Sequence, residues 1–145
     1  MAALDMLARR DHASGELRRK LLDKGYDPAA VEALLGRLRA EHLLDDARFV
    51  ENFVDLRAAR GLGPLRVQAE LREIGVSPEL VQGAVQAYGQ WLVQLRKARQ
   101  KKFGASLPTD YADRQRQARF LGYRGFTGAQ IRLVLGLDLD VDLDT

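Results

Sequence analysis

An all-α protein built of three tandem three-helix repeats is what this sequence predicts, on three grounds. Gly25, Gly75 and Gly125 recur every fifty residues. Their flanks recur with them: Leu21, Leu71 and Leu121 lie four residues before the glycines, and Val31, Val81 and Ile131 six residues after. Between them stand Asp27-Pro28, Ser77-Pro78 and Thr127-Gly128. Asp, Ser and Thr are helix N-cap residues because a side-chain oxygen accepts an orphan N–H of the first turn, and proline suits the first helical position. Each glycine therefore closes one helix and precedes another, and such a period predicts stacked helical modules rather than one globular core. A module of about fifty residues buries too little apolar surface to stand alone, so neighbouring repeats should share apolar interfaces.

The elements follow in chain order. In repeat 1 (residues 1–43), Leu4 and Leu7 pattern a short helix ending near Arg10-Asp11. Ser14 offers an N-cap for a second helix that carries Leu17 and Leu21 on one face and stops at Gly25. Val31, Leu34, Leu35 and Leu38 then give the i, i+3, i+4, i+7 spacing of a third. Repeat 2 (44–89) opens at Leu44-Asp45-Asp46, where an aspartate can cap a helix bearing Phe49, Phe53 and Leu56. Gly61-Leu62-Gly63-Pro64 breaks it; the next helix presents Val67, Leu71 and Ile74, and Val81, Ala84, Val85 and Tyr88 repeat the spacing of the first module's last helix. Repeat 3 (90–136) begins with Trp91, Leu92 and Leu95 on a helix reaching Phe103. It breaks at Gly104–Pro108, resumes from about Thr109 to Gly122, and closes with Ile131, Val134 and Leu135. Gly136 ends that pattern and Asp138 takes the place of Leu38 and Tyr88, so the last helix is shortened. Residues 137–145 alternate Asp with apolar residues, a strand period without a second strand to pair with, and read as a mobile acidic tail.

Composition narrows the function. With 46% hydrophobic residues the 145-residue chain can fold as one domain or as three modules, so the repeats and not the length decide. The absence of cysteine excludes disulfides, thiolate metal sites and thiol nucleophiles, and suits a reducing compartment. His12 and His42 lie thirty residues apart, each near a helix end, where a solvated or capping imidazole is expected. No signal-peptide or membrane-spanning stretch is present, and a cytoplasmic protein is expected. The net charge is +3, but four negative charges, on Asp138, Asp140, Asp142 and Asp144, sit in the tail; without them residues 1–136 carry +7. A basic body accumulates near polyanions, and the tail can bind a basic partner or shield the protein's own basic surface.

Chemistry-bearing constellations are sparse. Nothing assembles a nucleophile, base and orienter, and Gly61-Leu62-Gly63-Pro64 lacks the Gly-Lys-Ser/Thr ending of a phosphate loop. The Asp-x-Asp-x-Asp tail lacks the sixth-position glycine and terminal glutamate of a calcium loop. Asp45, Asp46 and Glu51 can be drawn as a metal-dependent nuclease site; one aspartate capping a helix and the other facing water is the simpler account. No catalytic, cofactor-binding or metal residues are therefore assigned. Basic residues are the stronger lead, because they bunch at neighbouring positions of the repeats: Arg18, Arg19 and Lys20; Arg57, Arg60, Arg66 and Arg72; Arg96, Lys97, Arg99, Lys101 and Lys102; Arg114, Arg116 and Arg119. Repeated along stacked modules they form a stripe suited to phosphates or to an extended acidic protein surface. Few aromatics interleave with them; Tyr111 and Tyr123 are the exceptions, while Trp91, Phe49 and Phe53 suit inter-repeat cores.

Three stretches carry a family resemblance. The first runs Ala3-Leu4-Asp5-Met6-Leu7-Ala8-Arg9-Arg10, then Ser14, Glu16–Leu21 and Lys24-Gly25-Tyr26. The second is Leu44–Phe49, Phe53, Arg57, Arg60-Gly61-Leu62-Gly63-Pro64-Leu65-Arg66-Val67, Glu70-Leu71 and Gly75-Val76; the third is Phe120–Phe126. In this order they resemble the RecX family, bacterial modulators of the RecA recombinase. The resemblance implies an elongated, curved array of three-helix repeats that lodges in the groove of a RecA filament on DNA. It implies suppression of ATP hydrolysis, strand exchange and filament growth or persistence, with no catalytic residues and no cofactor. The alternating Asp tail departs from the family motif.

The leading expectation is therefore a non-enzymatic, monomeric regulator bridging adjoining RecA subunits, in DNA repair and recombination. Arg57, Arg60 and Arg66, near the diagnostic loop, are its expected contacts, with Arg18, Arg19, Arg116 and Arg119 in support. The alternative is a RecA-independent, sequence-nonspecific binder of single- or double-stranded DNA with helix-turn-helix-like repeats.

Overall fold

A computed structural model describes residues 2–136. The alternating tail, and Asp138 in the place of Leu38 and Tyr88, lie outside the described residues. Among those described, the fold is all-α, with nine helices, three to a repeat. They are α1 Ala2–Arg9, α2 Ser14–Asp23, α3 Pro28–Ala40; α4 Asp46–Ala59, α5 Pro64–Ile74, α6 Pro78–Tyr88; α7 Trp91–Phe103, α8 Tyr111–Tyr123 and α9 Gly128–Leu135. By contacts the residues group into two compact units, Met1–Phe53 with Glu70–Ala84, and Val54–Ala69 with the chain from Val85 on. Each of the second repeat's helices contributes residues to both units.

The fifty-residue period is the period of the structure. Tyr26 N–H donates to Leu21 O at 3.3 Å and Gly25 N–H to Leu22 O at 3.0 Å; the corresponding bonds recur from Val76 and Gly75, and from Phe126 and Gly125. These are Schellman turns, which place the glycine in the left-handed region, here at φ of 92°, 98° and 98°. The next helix is capped as the sequence predicts: Asp27 accepts from Ala30 N–H at 3.1 Å, Ser77 from Leu80 N–H at 3.3 Å, and Thr127 from Gln130 N–H at 3.1 Å. Gln130 closes a capping box by accepting from Thr127 N–H. The repeated apolar positions Leu21, Leu71 and Leu121, and Val31, Val81 and Ile131, are all buried. α9 has 8 residues against 13 in α3, so the last helix is indeed shortened.

In the first unit, Leu17 and Leu21 of α2 pack with Val31, Leu35 and Leu38 of α3, Leu44 and Ala3. α1 meets this core through Ala3, Met6 and Leu7, whereas Leu4 faces outward, one turn-face away from its expected place. Ser14 is not an N-cap. Ala13 takes that position without a side-chain bond, and Ser14 N–H and Oγ both donate to Asp46 Oδ1, at 2.7 and 3.0 Å. Asp46 therefore supplies from thirty-two residues away the acceptor that α2 lacks locally, rather than facing water. Asp45 caps α4 itself through Arg48 N–H at 3.1 Å. Gly15 fits closely here: a Cβ on it would stand 2.7 Å from Gly75 O.

In the second unit the core is Leu95, Ala118, Leu121, Phe126, Ile131 and Leu135. Trp91 joins two repeats, as expected of it: its indole N–H donates to Val85 O at 2.9 Å and its ring lies 4.6 Å from that of Tyr88. Leu56 of α4, expected on the buried face, is 65% exposed. The Gly-Leu-Gly-Pro break docks against the third glycine turn, with Gly63 N–H donating to Arg124 O at 2.7 Å and Leu65 N–H to Gly125 O at 2.9 Å. A Cβ at Gly63 would coincide with the Gly125–Phe126 backbone. The N-terminal amides of α5 are thus capped by the following repeat, as those of α2 are.

α8 begins two residues later than the sequence suggests, where Asp110 accepts from Asp113 N–H at 2.7 Å. The loop before it hangs on Arg99. Although counted above among surface cations, Arg99 is only 2% exposed. Its guanidinium donates to Gly104 O, Ala105 O and Ser106 O at 3.1, 3.2 and 3.3 Å, and to Gln117 Oε1 at 3.4 Å. Gln117 is itself buried, at the position where the other repeats have Leu17 and Val67.

Candidate functional site

α7 buries Trp91, Leu95 and Arg99, one residue in four. That spacing turns Gln94, Lys97, Ala98, Lys101 and Lys102 together onto an adjoining face. Beside this face run the end of α4, at Ala59-Arg60-Gly61, and Phe120 and Arg124, one turn apart at the end of α8. Together they enclose an open groove of about 320 Å³ within the second unit. Its floor is partly apolar, with Phe120 and Ala98 packed against the core beneath. Five cations surround it: Arg60, Lys97, Lys101, Lys102 and Arg124.

Among the described residues none of the five is ion-paired. Two of them lie on an aromatic face: Lys102 Nζ and the Arg124 guanidinium are 5.8 and 5.2 Å from the Phe120 ring centre, and Phe103 meets Phe120 edge-on at 5.3 Å. Such placement orients a cation without neutralising it, so the groove keeps its positive potential. It can hold a polyanion or an acidic segment with apolar side chains.

Of the seven arginines expected at the site, Arg60 alone lines this groove. Arg66 is exposed beside it in sequence terms, its backbone packed on Gly125. Arg57 is half-buried and engaged within the protein. Arg18 pairs with Glu32, and Arg116 with Asp113 at 2.6 Å while lying over Phe103. Arg19 and Arg119 are exposed. Lys97, Lys101 and Lys102 belonged to the expected basic set without being singled out, and Arg124 was missed as a binding residue. The signal for it is the Phe120–Arg124 spacing of four on a helix. Tyr111 and Tyr123 stand exposed, Tyr123 at 82%.

The carboxylates once drawable as a nuclease site have structural partners, Asp45 on α4 and Asp46 on α2. Among the described residues no group of three His, Cys, Asp or Glu is placed to hold a metal ion, and no helix is long and apolar enough to cross a membrane.

His12 is buried rather than solvated, in a polar knot between α1 and α2. Lys20 Nζ can only donate, so the contact at 3.0 Å makes His12 Nε2 the acceptor and leaves Nδ1–H to donate to Arg10 O at 3.1 Å. Burial is the main cause that pushes the His12 pKa below its ordinary 6.5. For Glu16, burial acts upward, but the two-pronged Arg10 bonds at 2.6 and 3.1 Å and the charges of Arg10, His12 and Lys20 outweigh it and bring the pKa below 4.5. Both groups take up protons more readily unfolded than folded, so stability is complete at neutral pH and falls with acidification. Urea midpoints by circular dichroism should be level above pH 7, fall as pH drops through about 6.5, and fall again below about 4.5. His12→Gln should remove the upper step and leave the lower; an upper step that persists in that variant would assign it elsewhere.

The family models described as the first, second and third three-helix domains of RecX match residues 1–38, 45–85 and 90–135. A regulatory protein RecX from Halorhodospira halophila is 46% identical over 132 residues, 90% of this chain and 82% of the relative. One from Pseudomonas fluorescens is 42% identical over 140 residues, covering 95% and 90%. The crystal structure of RecX from Lactobacillus salivarius superposes with a TM-score of 0.76 over 92% of this chain and 89% of that one. Its 18% identity makes that a likeness of fold.

Proposed function

This chain belongs to the RecX family, and on that premise we propose that it is a non-enzymatic regulator that binds the RecA–DNA filament in its groove. There it restrains ATP hydrolysis, strand exchange and filament growth or persistence, acting as a cytoplasmic monomer in DNA repair and recombination. The observation that carries the reading is the set of five cations without ion pairs, among the described residues, around one groove where the end of α4 meets the third repeat. A filament offers what such a groove takes: acidic protein surface and DNA phosphates at a regular spacing. Repeats that touch adjoining subunits add effective concentration with each contact, so weak single contacts suffice. Arg60 remains among the contacts, joined by Lys97, Lys101, Lys102 and Arg124. Arg66, Arg19 and Arg119 support them from exposed positions, whereas Arg57, Arg18 and Arg116 already have partners within the chain.

The test is the triple change Lys97→Gln, Lys101→Gln and Lys102→Gln, at exposed positions of one helix face. The concentration that half-inhibits RecA strand exchange should rise about tenfold, equivalent to about 1.4 kcal/mol, with the helical spectrum unchanged. Inhibition within a factor of about two of the parent would remove the groove from the filament contact. Sedimentation with RecA filaments, alongside the same DNA without RecA, separates the two binding readings. Capture by bare DNA alone, weakening steeply with salt, would favour the RecA-independent binder.

A further inference from the structure

We propose that the cationic groove has an internal occupant, the segment 137–145 of this same chain, which competes there with the outside polyanion. The competition rests on the function proposed above; the docking does not. Four observations carry it.

The first is chemical match. Leu137, Leu139, Val141 and Leu143 alternate with Asp138, Asp140, Asp142 and Asp144. In an extended chain such a pattern puts the apolar side chains on one edge and the carboxylates on the other. The groove offers the complement, Phe120 and Ala98 at its floor and lysines and arginines at its rim. A bare phosphate chain would use the rim and leave the apolar floor uncovered.

The second is charge. Among the described residues the rim cations have no carboxylate partner, while the undescribed tail holds four carboxylates and no cation. The third is where the tail starts. Leu135, the last residue of α9, lies in the cluster with Leu95, Ala118 and Leu121, and the floor residues Ala98 and Phe120 pack against that same cluster. Gly136, at φ 126°, then redirects the chain. Nine extended residues reach about 30 Å, ample for a groove whose apolar residues pack on the cluster that holds Leu135, and a tether this short gives an effective concentration of order millimolar. The fourth is that the third-domain family model ends at residue 135, so the tail lies outside the matched repeat.

The chain has no cysteine, so Thr145→Cys accepts a single nitroxide label in the intact 145-residue chain. At low salt the label should broaden the amide signals of Ala98, Lys101, Lys102 and Arg124 selectively. Broadening should disappear at about 0.5 M salt, where exposed charges are screened, and in the Lys97→Gln, Lys101→Gln, Lys102→Gln variant. Even broadening over the protein, or broadening centred on Arg18 and Arg19, would overturn the docking. In parallel, changing the four tail aspartates to Asn keeps the tail's length. Affinity for a single-stranded oligonucleotide at low salt should rise about fivefold in the parent background and not at all in the lysine-variant background. A rise of equal size in both backgrounds would mean that the tail acts through space and not from the groove. Neither readout contains RecA, so failure of the docking and failure of the RecA reading are distinguishable.

Discussion

Gly125→Ala is expected to cost about 4 kcal/mol of stability, where Gly25→Ala costs about 1. The two glycines hold the same place in their repeats and nearly the same backbone, φ 98° and 92°. Alanine at either pays the left-handed penalty, about 1 kcal/mol. At Gly25 nothing lies within 4 Å of the new Cβ. At Gly125 the Cβ would fall on Arg66 Cβ and 2.7 Å from Arg66 N, in backbone that cannot swing aside. Relief requires parting the turn from the start of α5, and with it the bonds from Gly63 N–H to Arg124 O and from Leu65 N–H to Gly125 O. Each such bond contributes about 1 kcal/mol net, and more if a group is left buried without a partner. The sole tryptophan, Trp91, sits in the same unit, so its fluorescence in a urea titration reads the loss directly. Gly63→Ala strikes the other side of the joint and should cost a similar amount, with a double variant far from additive. Equal losses at Gly25 and Gly125 would mean that the joint adds nothing.

That joint shows how one repeat completes its neighbour. The middle helix of a repeat starts without a local acceptor for its first amides, and the following repeat provides one. For α2 it is the Asp46 carboxylate, for α5 the carbonyls of Arg124 and Gly125. The third repeat caps α8 internally through Asp110. The shared apolar interfaces expected from module size are therefore accompanied by shared polar ones.

What was legible in the sequence was local. The Schellman glycines, the caps Asp27, Ser77 and Thr127, and the buried leucines are each decided within about six residues, and a period read once applies three times. Ser14 was misread because Ser before an apolar run usually caps its own helix; here Asp46 arrives from another. Leu4 was misplaced because a few apolar residues on a short helix fit more than one face, and Leu56 because Val50, Val54 and Ala58 form the buried stripe of α4 instead. At the candidate site the same limit applies. The lysines of α7 share a face that the spacing alone gives, but Arg60 and Arg124 join them by tertiary packing. Arg18 looks like a free cation in sequence because Glu32 reaches it from another helix, whereas the pairing of Arg116 with Asp113, three residues earlier on α8, is a spacing the sequence itself offers.

Arg99→Ala is expected to cost about 3 kcal/mol, from the volume vacated beside the core and the charge-assisted bonds lost. The stretch Arg96–Lys102 reads as a basic run on a surface helix, yet Arg99 points inward and ties three successive carbonyls to α7. A planar fork with five donors suits those diverging acceptors; an ammonium on a flexible stem does not. Arg99→Lys should therefore lose nearly as much as Arg99→Ala, and a lysine variant within about 1 kcal/mol of the parent would rule out the fork as the cause. The other repeats suggest the compensation. Where the third has Arg99 over Gln117, the first has Leu17 and the second Val67, each at the Gln117 position and fully buried. When Arg99 goes, the Gln117 Nε2 keeps Asp113 as its acceptor but Oε1 loses its donor, so Arg99→Met alone strands a buried amide oxygen. Adding Gln117→Leu restores the apolar pattern and should recover more than half of the loss, since a well-packed apolar pair often equals a buried polar one. The three loop carbonyls belong to exposed residues and can turn to water, which makes that recovery possible. Recovered stability with a loosened 104–110 loop, seen as faster amide exchange there, would separate the two tasks of Arg99, filling the core and fixing the loop.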